Sequence, residues 1–275
     1  MAGTLGILAG SGVLPIRIAE TAKASGREVF ILAFEGQTPA ETVSNLPHDW
    51  VKLGAVEEAV QVLKSAGCDE LVMAGPMIRP SLSSLSLDAR GAGIVARLGM
   101  KLFGDDGLLS VIVEELEKDG FKIVGVEDLL GGYLIPAGPL VGGELSEPDR
   151  ADAERGIAVL NALGAADVGQ AVAVQSGLVL ALEAVEGTDR MIARAGELAR
   201  QDGAPGPMLV KGTKPGQELR ADRPTIGPLT VETAARVGFR GIVVEADETL
   251  IVDRAQLAED AQRLGLFVYA MDFSK

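Results

Sequence analysis

Apolar residues along the first half of the chain fall in short unbroken runs separated by amphipathic stretches. "TLGILAG" (4–10), "EVFILAF" (28–34), "ELVMAG" (70–75) and "FKIVGV" (121–126) have the length and aliphatic character of buried strands. Between them, "LPIRIAETAKASG", closed by Gly26, and "VEEAVQVLKSAG" carry apolar residues at helical spacing. "ARGAGIVARLGMKLFG" and "LLSVIVEELEKDG" predict two further helices ahead of the fourth run. Such alternation predicts a parallel sheet covered by helices on both faces. Residues 127–147, rich in Gly and Pro, sustain no period and mark a boundary. The second half predicts a helix over 149–164, strands in "QAVAVQ" and "LVLALEAV", and a helix from Thr188 or Asp189 to Arg200. The strand "PMLVKG", the helix "LTVETAARVG", the strands "GIVVEA" and "TLIVD", a helix and the strand "LFVYAMD" complete it. The expected architecture is α/β throughout. A Rossmann-like parallel-sheet domain (1–132) and a Gly/Pro-rich linker (133–147) precede a distinct C-terminal α/β domain (148–275).

Composition narrows the functional classes. At 275 residues, 47% hydrophobic and 23% charged, the chain has the balance of a globular protein. A formal net charge of −14 argues against general nucleic-acid binding, which needs a basic surface. The single cysteine, Cys68, rules out an internal disulfide and suits a reducing compartment. No charged leader precedes an apolar run, and no stretch of roughly 18 apolar residues occurs. The expectation is a cytoplasmic protein that touches a membrane surface at most. The high apolar fraction suggests a homodimer.

Against that acidity, one segment stands out. "MLVKGTKPGQELRADRPTIGP" (208–228) places Lys211, Lys214, Arg220 and Arg223 around Asp222, with three prolines to stiffen it. Four cations near one carboxylate would keep it ionised, ready to activate water or hold a divalent ion beside a bound polyanion. An ordinary solvated loop is the alternative. "AGSGVLP" offers Gly10, Ser11, Gly12, Leu14 and Pro15 as a phosphate loop at a helix start, although Pro15 stands where a third glycine belongs. "EGTDRM" aims Thr188 and Asp189 at an anion, or uses one of them to cap the helix. Glu35 could meet a ribose hydroxyl, His48 reads as structural, and Asp105 and Asp106 read as a turn capping the next helix. On these residues alone a nicotinamide-dependent oxidoreductase and a non-catalytic lipid or nucleotide carrier stay open.

"LGILAGSGVLP" together with "EGTD", "GIVVEA" and the run "K-P-x-Q-x-x-R-x-D-x-P-T-I-G" resembles the two-domain UDP-2,3-diacylglucosamine pyrophosphatases of lipid A biosynthesis. The resemblance covers nearly the whole chain. It implies hydrolysis of the pyrophosphate to UMP and 2,3-diacylglucosamine 1-phosphate, with Mg²⁺ or Mn²⁺ and water directed at the phosphorus on the sugar side. It also implies a catalytic C-terminal domain and a protein peripheral to the inner membrane of a Gram-negative bacterium. The essential aspartate carries over to Asp222, and Lys214, Gln217, Arg220, Thr225 and Gly227 match flanking motif positions. Lys211, Thr188 and Asp189 join them in substrate binding, and Asp189 and Glu245 are the further expected metal ligands. Arg223 departs from the leucine expected there. The substrate is expected to bind between the domains, its acyl chains along the apolar residues of "YLIPAGPLV".

Overall fold

The computed structural model of the chain describes residues 3–78, 85–98, 105–164 and 166–274, and only the backbone of Leu98, Asp105 and Asp106. By contacts the chain divides into two units. The first comprises Met1–Gly131 with Glu218–Asp222, and the second comprises Gly132–Gln217 with Arg223–Lys275.

The first unit is built on five parallel strands. They are β1 (Thr4–Ala9), β2 (Val29–Phe34), β3 (His48–Val51), β4 (Cys68–Ala74) and β5 (Lys122–Ile123), in the order β3-β2-β1-β4-β5. This is the doubly wound order, in which the chain reverses direction between β1 and β4. Leu5, Ile7, Ile31, Leu32 and Leu71 are fully buried, as strands covered on both faces require. The helices are α1 (Leu14–Ala24), α2 (Ala40–Val43), α3 (Val56–Ser65), α4 (Ala89–Leu98), α5 (Asp105–Lys118) and α6 (Val126–Leu129). The expected extension of α4 towards Gly104 lies outside the described residues. β3 went unread in the sequence because it is a sheet edge: its first two residues are exposed, and only Val51 is buried. His48 lies there, its Nδ1 2.7 Å from the Leu46 carbonyl oxygen.

The second unit carries a six-stranded mixed sheet. Its strands are β6 (Gly138–Val141), β7 (Ala171–Gln175), β8 (Leu178–Leu182), β9 (Met208–Lys211), β11 (Gly241–Glu245) and β13 (Phe267–Met271), in the order β6-β13-β11-β9-β7-β8. A separate pair, β10 (Thr225–Ile226) and β12 (Leu250–Ile251), runs parallel beside it in sequence. Side chains alternate between two cores. Leu209, Ile242 and Val244 face one cluster with Met191 and Ile192 of α8 (Thr188–Leu198), Val231 of α9 (Pro228–Arg236) and Leu257 of α10 (Arg254–Leu264). Met208, Val210 and Val243 face the other with Ile157 and Leu160 of α7 (Glu147–Gly164). Each of these large side chains contributes about 1.5–3 kcal/mol when fully buried. Gly156 lets α7 lie close, since a Cβ there would sit 2.5 Å from Val210 Cγ2.

Part of the expected linker is therefore structure. Gly138–Val141 pairs antiparallel with β13, an edge strand whose Gly and Pro content concealed it in the sequence. β7 and β8 form a hairpin through Ser176 and Gly177, both at positive φ, the turn that matches strand twist.

Candidate functional site

In the first unit, the glycine loop follows β1 at the point where the sheet order reverses. Gly10 donates to the Ala74 carbonyl at 2.8 Å, and Ser11 donates to the Pro76 carbonyl from its amide at 2.9 Å and its hydroxyl at 3.0 Å. A Cβ on Gly10 would stand 2.4 Å from the Gly75 carbonyl oxygen and 2.6 Å from that of Pro76. Gly10 thus lets two backbones meet, the loop after β1 and the turn after β4. Gly12, at φ 82°, is required for its conformation instead, since a Cβ there would meet only Pro76 Cδ at an ordinary 3.8 Å. Pro15 is buried in the first turn of α1, where its missing N–H costs nothing, and Leu14 is half-buried.

The segment Glu218–Asp222 belongs to this same unit. The Glu218 carbonyl accepts from both Ala221 and Asp222 amides at 3.0 Å, closing one tight turn. Ala221 packs on the core that holds Leu8, Leu32 and Val113. Arg220 grips Glu218 through Nε and one terminal nitrogen at 2.8 Å each, and reaches Glu117 at 2.6 Å. That guanidinium holds the Glu218 carboxyl below the usual carboxylate range.

The second unit gathers Thr188, Lys211, Lys214, Gln217 and Glu245 around the ends of β8, β9 and β11. Lys214-Pro-Gly-Gln217 is a type II turn: Gln217 N–H donates to the Lys214 carbonyl at 3.1 Å, with Pro215 second and Gly216 third at φ 81°. The Gln217 Oε1 accepts the Lys214 amide at 2.9 Å. Glu245 Oε2 accepts from the amide and the hydroxyl of Thr213, both at 2.6 Å, and so ties down the loop between Lys211 and that turn. Lys211 Nζ donates to Thr188 Oγ1 at 2.9 Å, and Lys214 Nζ meets Asp167 at 2.6 Å.

Gly187, not Thr188 or Asp189, is the N-cap of α8, and no side chain closes that end. Thr188 does not cap because its hydroxyl proton goes to Glu183 Oε1 at 2.6 Å; Asp189 is exposed in the first turn. An open helix start beside a buried lysine is chemically an anion acceptor.

Each of the four cations of the basic segment has a partner other than Asp222. Lys211 has Thr188, Lys214 has Asp167, Arg220 has Glu218 and Glu117, and Arg223 has Glu248 at 2.5 Å. Thr225 donates its hydroxyl to the Arg223 carbonyl at 3.0 Å, and Gly227 begins α9, its amide 3.4 Å from Thr230 Oγ1. Among the described residues no three His, Cys, Asp or Glu side chains form a metal-holding group. The side chains of Asp105 and Asp106 lie outside the described residues. A surface groove of about 830 Å³ along β6 and α10 is lined by Leu140 and Val141 of "YLIPAGPLV" with Glu259 and Phe267 among others, and by none of the expected catalytic, phosphate-binding or metal-binding residues.

Fold and side chains define a protein of two α/β units, one doubly wound and one mixed, with an anion-accepting helix start and lysine loop in the second. Residues 4–133 match the LpxI N-terminal domain and residues 136–269 the LpxI C-terminal domain, so the chain belongs to the LpxI family. It is 37% identical over 274 residues to the UDP-2,3-diacylglucosamine pyrophosphatase LpxI of Caulobacter vibrioides, spanning 98% of this chain and 97% of that one. Two solved structures that it matches are only faintly alike. The biotin carboxylase subunit of pyruvate carboxylase shares 12% identity at a TM-score of 0.29, over 64% of this chain and 35% of that chain. A glycinamide-RNase-transformylase T from Mycobacterium tuberculosis shares 14% at 0.24, over 75% and 46%.

Proposed function

We propose that this chain hydrolyses the pyrophosphate of UDP-2,3-diacylglucosamine to UMP and 2,3-diacylglucosamine 1-phosphate, a step of lipid A biosynthesis. The observation that carries the reading is the match to the Caulobacter vibrioides pyrophosphatase along almost the full length of both chains. The local chemistry supports it. Lys211 and the open start of α8 at Thr188 and Asp189 present N–H groups to pyrophosphate oxygens, where fixed donors stabilise charge that develops in the transition state. The Lys214–Gln217 turn and the Thr213–Glu245 tether hold that loop in one shape before substrate arrives. Asp222, in the turn built on Glu218, takes a proton from the attacking water, which is directed at the sugar-side phosphorus. Gly12, at the head of α1, contacts the substrate through its backbone amide, and Ser11 holds that loop in place through its bonds to Pro76.

Mg²⁺, or Mn²⁺ in its place, would be held by Asp222 and the pyrophosphate oxygens, and when bound supplies charge neutralisation at phosphorus. The substrate is a membrane lipid, and no helix among the described residues is long and apolar enough to cross a membrane. A substrate of this kind, with the membrane lipid's acyl chains, brings the chain to the inner-membrane surface as a peripheral protein during turnover.

The test is to incubate the purified chain with UDP-2,3-diacylglucosamine and Mg²⁺ in ¹⁸O-water. The expected products are UMP and a sugar phosphate that carries the label. No UMP would overturn the reaction, and label in UMP would overturn the side of attack.

A further inference from the structure

Glu183 ends the apolar strand run of β8, and its side chain lies in the interior at 7% exposure. Both of its oxygens are in use. Oε2 accepts the Gln170 amide at 3.1 Å, and Oε1 accepts the Thr188 hydroxyl at 2.6 Å. A hydroxyl has one proton. Thr188 gives that proton to Glu183, so it turns its lone pairs outward and receives Lys211 Nζ at 2.9 Å. Lys211 is itself buried, at 7% exposure. Its charge thus has a counter-charge one hydroxyl away, which a buried ammonium needs.

The second oxygen reaches the other lysine. Gln170, held at its amide by Glu183, brings its side-chain oxygen 3.4 Å from Gln217 Nε2 and accepts the Gly212 amide on its carbonyl at 3.1 Å. Gln217 in turn accepts the Lys214 amide. One carboxylate therefore stands behind both ends of the lysine loop. We infer that Glu183 is a positioning residue, which fixes the Thr188 hydroxyl as an acceptor and so aims the remaining Lys211 N–H bonds at the phosphate oxygens of the substrate. The inference rests on the phosphoanhydride reading above. It assigns Thr188 a role towards Lys211 and leaves that hydroxyl no proton for a substrate oxygen.

The test has two arms on the full chain. In the first, kcat and KM for UDP-2,3-diacylglucosamine are measured for wild type, Glu183→Gln, Thr188→Val and the double variant, with circular dichroism as the check on folding. Misplacing a substrate-binding group can cost roughly 100-fold. The expectation is a 10- to 100-fold fall in kcat/KM for each single variant, roughly, and little further loss in the double variant, because both break one chain. Thr188→Ser, which keeps the hydroxyl, should restore most of the activity. Folded single variants at wild-type kcat/KM, or losses that multiply in the double variant, would overturn the inference.

The second arm needs no turnover. In ¹⁵N-lysine spectra, a slowly exchanging side-chain ammonium signal, assigned by its absence in Lys211→Arg, should vanish in Glu183→Gln. Persistence of that signal would overturn the positioning claim even if the wild type proves inactive on this substrate. An inactive wild type whose signal is lost in Glu183→Gln would refute the proposed reaction and leave the positioning of Lys211 supported.

Discussion

Gly10→Ala separates a glycine kept for backbone packing from one kept for ligand approach. The added Cβ would lie 2.4 Å from one carbonyl oxygen and 2.6 Å from another, and both neighbours are backbone. Relief needs a shift of about 1 Å at the turn after β4, and overpacking of this kind costs about 1–3 kcal/mol. The same shift would break the Gly10–Ala74 bond and the Ser11 bonds to Pro76, at about 0.5–1.5 kcal/mol net for each. The sum is about 2.5–7.5 kcal/mol. Trp50 in β3 is the only tryptophan of the chain, so urea unfolding followed by its fluorescence reports on the first unit. With a slope of about 1–3 kcal/mol per molar urea, the midpoint should fall by at least roughly 0.8 M. Gly12→Ala meets no close atom and should lose only about 1 kcal/mol, from its φ of 82°. A Gly10→Ala midpoint within a few tenths of a molar of wild type would show that the two backbones do not meet as described.

Acid sensitivity of the first unit should pass through Glu115. Hydrogen bonds from Lys118, and then from Arg97, hold its carboxyl at about 2 against an ordinary 4.5. The stability this contributes is complete above pH 4.5 and is lost as pH falls towards 2. The gap between wild type and Glu115→Gln should therefore narrow from pH 5.5 to pH 2.5 in Trp50-monitored unfolding; a constant gap would contradict it. Burial first, and then the charge of Asp69, push the Cys68 thiol up to about 11. Iodoacetamide at pH 8 should label the native chain slowly and the urea-unfolded chain quickly, and equal rates would place Cys68 at the surface.

The sequence was most legible where burial is complete. Runs such as "GILA" and "VFILAF" carry no polar residue because strands covered on both faces leave none room, and β1 and β2 follow from that alone. Two of the edge strands lose the signal: "HDWV" and "GPLV" are short and polar or Gly/Pro-containing, so neither reads as a strand. At the site, the Lys-Pro-Gly-Gln turn was legible from Pro and Gly at the second and third positions. Where the four cations near Asp222 find their other partners was not, because closeness in sequence does not fix where long side chains end. Arg220 and Arg223 flank Asp222 yet extend to Glu117 and Glu248. Glu183 was hidden at the end of "LVLALEAV". Its one cue was a carboxylate that continues an apolar strand, since an acid buried there must have a partner.

The measurement that bears most directly on the account is the rate of UMP release from UDP-2,3-diacylglucosamine by Asp222→Ala beside wild type, with calorimetric binding of the same substrate and circular dichroism as controls. Losing a group that takes the proton from attacking water costs roughly 100- to 10,000-fold in rate. The account predicts a fall in kcat of that size in a folded protein whose Kd stays within about threefold of wild type. A folded Asp222→Ala chain that turns over at the wild-type rate would contradict it.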